Sequence, residues 1–190
     1  RILLKLSGEA LASTDNTIDP DTLNKVVNII QSAIDQKVEV GIVIGGGNIF
    51  RGAALAQAGM NRITGDHMGM LATVINALAI ADACKKNKIN ALVMSGFPIG
   101  GGVCDPVDHN KAKQALSEGK VVIFSAGTGS PCFTTDTGAV LRAIEIDADI
   151  VFKATKVDGV YTDDPMKNPD ATRYETLGFD EAIEKNLQIM

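Results

Sequence analysis

Five short apolar runs recur along the chain: "ILLKL" (2–6), "VEVGIVI" (38–44), "ALVMS" (91–95), "VVIFS" (121–125) and "DIVFK" (149–153). Near-continuous apolar runs of this length predict strands buried on both faces of a sheet. Between them the apolar spacing widens to three or four. Residues 20–36 place Leu23, Val26, Val27, Ile30 and Ile34 on one face of a helix, with Asp19 as N-cap, Pro20 at the first helical position and Ile18 available to staple onto Leu23. Residues 66–86 predict a longer helix that is apolar on more than one side (Met68, Met70, Leu71, Val74, Ile75, Leu78, Ile80), a pattern that calls for deep burial or cover from a partner subunit. Three further helices are predicted over 108–118, stopped at Gly119, over 135–147 (Val140, Leu141, Ile144) and over 180–189 (Ala182, Ile183, Leu187, Ile189). The alternation predicts an α/β fold with a mainly parallel central sheet sandwiched by helices. Ligands of such sheets sit beyond the carboxyl ends of the strands, so function is sought in the loops that follow each strand.

Composition narrows the ligand. A chain of 190 residues can bury one sizeable core, and a net charge of −5 argues against a nucleic-acid polymer or an anionic membrane as the main partner. A small phosphorylated ligand stays open, since one or two placed cations can hold it. Cys84, Cys104 and Cys132 are far apart and fit no metal-ligand spacing, which predicts reduced thiols and a cytoplasmic protein. No apolar run reaches transmembrane length and no signal-peptide pattern is present. The chain enters its first strand without a methionine and ends at Met190 after an amphipathic pattern, so both ends read as limits of an ordered or trimmed segment.

The strand exits are rich in Gly, Ser, Thr and Lys or Arg: "KLSGEA", "GGGNIFRG", "GFPIGGGVCD", "AGTGSPCFTTD" and "ATKVDGVYTDDP". Glycine lets backbone N–H groups turn toward an anion, and a helix that starts directly after such a loop adds its positive end. A phosphate-binding P-loop is absent, and "GTGSPC" lacks the third glycine of a dinucleotide fingerprint. Each element also has a plainer reading. The glycines at 45–47 also suit a tight turn, Arg51 a surface salt bridge, Asp66 an N-cap, "TTD" at 134–136 a helix cap, and "VDGVYTDDP" a surface loop. Lys5 is the sharpest signal, because a lysine inside a five-residue apolar strand is costly unless it pairs or points into a site. His67 and His109 have no nucleophile at readable spacing and receive no catalytic role.

Taken together, "RILLKLSGEAL", "IGGGNIFRG", "GMNRITGDHMGMLATVINALA", "SAGTGSPCFTTD" and "FKATKVDGVYTDDP" closely resemble the bacterial uridylate kinase (UMP kinase) branch of the amino acid kinase family, over nearly the whole chain. The resemblance implies transfer of the γ-phosphoryl of ATP to UMP, giving UDP and ADP, with Mg²⁺ carried on the ATP phosphates. It implies ATP contacts at Lys5, Leu6, Ser7, Gly8, Gly47, Arg51, Thr155, Tyr161 and Asp164. It implies UMP contacts at Gly46 and Asp66 and through Thr128, Gly129, Ser130, Pro131, Cys132, Phe133, Thr134 and Thr135. Lys5, Arg51 and Asp136 would be catalytic, Asp136 by organising the lysine and nearby backbone. Residues up to about 148 would form a UMP-binding and oligomerisation lobe, and 149–190 the start of an ATP-binding lobe that continues further in the family. A homohexamer and control by GTP and UTP are further implications. Ser130 and Cys132 depart from the larger amide and the aromatic of the family pattern.

Phosphoryl transfer needs in-line positioning and charge neutralisation more than covalent chemistry. An acceptor phosphate is already an oxyanion, so the lack of a convincing general base is no obstacle. Two other readings stay open: a kinase of the same fold acting on another small substrate, and a nucleotide- or oxyanion-binding sensor or storage protein.

Overall fold

In the computed structural model, which describes residues 1–50, 59–155 and 157–187, six strands form one sheet: β1 (Ile2–Leu6), β2 (Val40–Ile44), β3 (Ala91–Ser95), β4 (Asp105–Pro106), β5 (Val121–Ser125) and β6 (Ile150–Lys153). Their order is β4-β3-β5-β2-β1-β6, and every pairing is parallel. Five helices accompany them among the described residues: α1 (Pro20–Asp35), α2 (Arg62–Lys86), α3 (His109–Ser117), α4 (Thr135–Glu145) and α5 (Phe179–Glu184), with a 3₁₀ turn over Gly8–Leu11.

The period-two alternation of a strand sorts side chains into two cores. Val40, Ile42 and Ile44 of β2, with Val121 and Ile123 of β5, face a layer built by α1 and α2. Val43, Val122 and Phe124 face the opposite layer, where Ala112 and Leu116 of α3 meet Ala139 and Ala143 of α4. Both faces are covered, which is why these strands read as unbroken apolar runs rather than alternating ones.

Helix starts follow their caps. Asp19 accepts from the backbone N–H groups of Asp21 (3.1 Å) and Thr22 (2.9 Å), ahead of Pro20. Asp108 does the same for Asn110 and Lys111. α2 begins four residues before the predicted start, because Asn61, not Asp66, accepts from the first-turn N–H groups of Ile63 and Thr64. That places Asp66 in the second turn and leaves its carboxylate available. By length and composition α2 is also apolar enough to span a membrane; half of that apolar window is buried against the sheet and α1, as in the core helix of a globular domain. The remainder, including Ile63, Leu71, Ile75 and Leu78, is exposed. β4 and the short α5 differ from the pattern: β4 is a two-residue parallel pairing of Asp105 and Pro106 with β3, and the helix predicted over 180–189 is formed over Phe179–Glu184.

The chain divides into two compact units, Arg1–Ala154 and Thr155–Met190. The sheet and the four longer helices lie in the first. In the second, Tyr161 and Arg173 form an antiparallel bridge.

Candidate active site

β5, β2, β1 and β6 are neighbours in the sheet, so their carboxyl ends open side by side. Lys5 of β1 and Lys153 of β6 are register partners on adjacent strands. Two cations placed across from one another repel unless something is shared between them. Asp136, in the first turn of α4, is that group. Lys153 Nζ donates to its Oδ2 (2.7 Å), and Lys5 Nζ stands 2.8 Å from its Oδ1. Burial would raise the pKa of Asp136, but the hydrogen bonds and charges of Lys153 and Lys5 outweigh it and hold the carboxyl below its ordinary value. Asp136 is thus an anion at neutral pH and holds both ammoniums at one rim.

Beside this triad lies a cavity of about 240 Å³. Gly46, Gly47 and Phe50, from the exit of β2, form one wall, and Gly65, Asp66, Gly69, Met70 and Thr73 of α2 form another. Gly127, Thr128, Ser130, Phe133, Thr134 and Thr135, between β5 and α4, close the third. Gly46 has to be glycine: a Cβ there would stand 2.8 Å from the Gly69 carbonyl oxygen and 2.9 Å from Ala72 Cβ. Thr134 caps α4 by accepting from Thr137 N–H (3.1 Å), so the positive end of that helix opens toward the cavity. Capping and anion binding are compatible here, as the two readings of "TTD" allow.

Asp66 joins two walls. Its carboxylate accepts from the backbone N–H of Cys132 (2.7 Å) and from Nε of Arg62, at 2.9 and 3.0 Å to its two oxygens. Burial acts to raise its pKa; the Cys132 N–H and Arg62 prevail and lower it. Cys132 reaches that bond with φ of 69°, a left-handed backbone conformation uncommon for a side chain of this kind. Two further bonds fix the loop after β5. Thr73 Oγ1 accepts from Ala126 N–H (2.6 Å), and buried Arg142 of α4 donates to the Gly127 carbonyl (3.2 Å) and pairs with Glu145.

The expected residues distribute as follows. Lys5, Gly46, Gly47, Asp66, Thr128, Ser130, Phe133, Thr134, Thr135 and Asp136 gather at the triad and the cavity walls. Leu6 is buried at the end of β1, Ser7 caps the 3₁₀ turn, and Gly8 packs against the β2 exit. Gly129 turns with φ of 83° against Gly96; Pro131 and Cys132 continue that loop. Thr155, Tyr161 and Asp164 belong to the second unit, where Thr155 Oγ1 donates to the Val157 carbonyl, Tyr161 donates to Asp158 (2.8 Å) and Asp164 accepts from Met166 N–H (3.0 Å). Arg51 lies outside the described residues. Sequence reasoning missed Lys153. Its signal is the one that singled out Lys5, a lysine carried by an apolar strand, but it closes "DIVFK" and reads as a boundary.

A carboxylate that holds two ammoniums beside a glycine-walled cavity suits ligands rich in phosphate, and the chain as a whole belongs to the amino acid kinase family, whose model matches residues 1–189. Among its relatives, the uridylate kinase of Ruthia magnifica subsp. Calyptogena magnifica is 80% identical over 190 residues, covering all of this chain and 80% of the relative. The solved UMP kinase of Bacillus anthracis matches with a TM-score of 0.90 at 39% identity, covering 100% of this chain and 78% of that one. The UMP kinase of Ureaplasma parvum gives 0.89 at 39% identity, covering 100% and 80%.

Proposed function

We infer that this chain is an ATP-dependent kinase that transfers the γ-phosphoryl group of ATP to UMP, producing UDP and ADP. The 80% identity to a uridylate kinase over the full chain supports the reaction. The observation that carries the chemistry is the Lys5–Asp136–Lys153 triad beside the cavity.

The acceptor phosphate is an oxyanion and needs no base. The difficulty is bringing two polyanions together. We assign Lys5 and Lys153 to the donor phosphates and to the charge that spreads over the transferred group; Asp136 holds the two ammoniums in place. Arg51 is assigned the same task on the family pattern. Gly46 and the N-terminus of α4 would receive the UMP phosphate, Gly47 the ATP phosphates, Asp66 the ribose hydroxyls, and the Thr128–Phe133 loop the base, with exposed Phe133 available for stacking. Leu6, Ser7 and Gly8, with Thr155, Tyr161 and Asp164, are assigned to ATP. The UMP lobe is taken to run to about residue 148, with the ATP lobe starting at 149.

The donors collected around the triad and cavity are mainly ammoniums, amides and hydroxyls, which suit phosphate oxygens better than a cation. Mg²⁺ therefore enters this reading as part of the ATP complex, where it neutralises phosphate charge. A cytoplasmic homohexamer controlled by GTP and UTP completes the proposal. The exposed apolar side of α2 supports association, and light scattering that gives a monomer at micromolar concentration would refute it.

ADP release measured in parallel with UMP, CMP, AMP and glutamate tests the reaction. Turnover that depends on UMP is expected; equal or faster release with another acceptor, or without any, overturns it.

A further inference from the structure

α2 buries a polar side chain in its middle that the catalytic scheme does not use. Asn76 is fully buried, as are Ala72, Ala77 and Ile80 on the same helix, and an apolar residue there would cost less to desolvate. Both of its amide hydrogens are committed: Nδ2 donates to the Gly45 carbonyl (2.7 Å) and to Asn48 Oδ1 (2.7 Å). Its Oδ1 accepts in return from Asn48 Nδ2 (3.1 Å), and Asn48 Nδ2 also donates to the Thr17 carbonyl (2.8 Å). The two asparagines form a reciprocal amide pair that ties the helix to the loop leaving β2.

That loop carries Gly46 and Gly47 into the cavity wall. The same pair reaches the exit of β1. A Cβ on Gly8 would stand 2.4 Å from Asn48 Oδ1 and 2.9 Å from the Gly47 nitrogen, so the Asn48 amide, the Gly47 backbone and the turn after Lys5 are packed in direct succession. Glycines alone cannot hold such a turn, because they have the most backbone freedom to lose. Backbone bonds from Gly45 N–H to the Leu6 carbonyl (2.9 Å) and from Ile49 and Phe50 N–H to the Gly46 carbonyl (both 3.0 Å) shape the turn, and the buried amide, donating to the Gly45 carbonyl and to Asn48, adds a tie to the helix that also carries Asp66.

We propose that Asn76 is a positioning residue for phosphoryl transfer: through the Gly45 carbonyl and Asn48 it fixes the orientation of the Gly46–Gly47 backbone against the β1 exit. The proposal rests on the kinase reading above. Misplacing reacting groups by about 1 Å costs on the order of 10²-fold in rate, so loss of this constraint reads chiefly in kcat.

The test compares Asn76→Ala, Asn48→Ala and the double variant with the parent protein, by steady-state kinetics with ATP and UMP, thermal melting, and amide exchange over residues 45–48. Each single variant is expected to lower kcat by about 10-fold or more, with KM for ATP and UMP changing less. The double variant should fall within about twofold of the worse single one, because both changes sever one pair. Exchange at 45–48 should quicken in both. Asn48 is only half-buried, so Asn48→Ala carries the test if Asn76→Ala does not fold. A lowered melting temperature with kcat and exchange at 45–48 unchanged would show a merely structural asparagine and overturn the proposal. A parent protein that forms no UMP-dependent ADP would overturn the kinase reading instead, and the exchange measurement would still decide whether Asn76 fixes the loop.

Discussion

Replacing Asp136 by asparagine keeps its shape and removes its charge, leaving Lys5 and Lys153 facing each other across adjacent strands. Neighbouring strands stand about 4.8 Å apart. At an effective dielectric of about 20, two ammoniums roughly 5 Å apart repel by about 3 kcal/mol. The side chains of Lys5, Asp136 and Lys153 are 14%, 24% and 35% exposed, so solvent screens part of this repulsion and Lys153 has room to swing outward. A net loss of about 1–2 kcal/mol is expected, between the values for surface and for buried pairs. For a chain of this size that lowers Tm by about 2–8 °C. Activity should suffer more, because the ammoniums that part company are those assigned to the transferred phosphate. A fall in kcat of about 10²–10³-fold is expected, the usual cost of losing one preorganised electrostatic group. Thermal melting at neutral pH and steady-state kinetics with ATP and UMP give both numbers. An Asp136→Asn protein with Tm within about 1 °C of the parent and kcat within about threefold would refute the shared-counterion account.

Lys153→Ala should lower kcat by about 10²-fold, and Lys153→Arg should recover part of it, as a charge role requires; equal losses in both would mean that shape at the end of β6 matters more than charge. Asp66→Asn should raise KM for UMP more than KM for ATP; equal effects would reduce Asp66 to a tie between α2 and the Cys132 loop. Asp136 and Asp66 both have carboxyls held below the ordinary 3.8. A depressed folded-state pKa gives stability that is complete above the ordinary value and is lost as pH falls through the lower folded one. Melting temperature should therefore drop below about pH 4, and the drop should be shallower in Asp136→Asn; an identical acid limb would remove Asp136 from the cause.

Much of the fold was legible because both faces of the central strands β2 and β5 are covered, which gives unbroken runs such as "VVIFS", and Asp19-Pro20 marks a helix start by local chemistry alone; "DIVFK" reads the same way, yet β6 lies at the sheet edge with Ile150, Val151 and Phe152 exposed, so burial on both faces is not found there. The site was legible in outline, since Lys5 breaks a local rule by sitting inside an apolar strand, and Gly46 and Thr134 stand in strand exits where ligands of such sheets bind. The misreadings have physical reasons. Asn61 and Asp66 are both able caps, and only the hydrogen bonds of Ile63 and Thr64 decide between them. β4 exists through a two-residue pairing across ten intervening positions, which no local pattern encodes. The apolar spacing near residue 183 predicts a helix of ten residues; the structure forms six, with Phe179 and Ile183 exposed, so nothing packs there to extend it among the described residues. Lys153 is invisible as a functional residue until β6 is known to lie beside β1.

Gly96 and Gly129 touch so closely that a methyl group on Gly129 would sit 2.1 Å from the Gly96 oxygen. The β3 exit, which contributes nothing to the cavity wall, thereby acts as a stop for the loop that does. Any side chain added at Gly129 would have to push one of the two turns aside, so the neighbour of β5 in the sheet sets where the Gly127–Ser130 side of the cavity can stand.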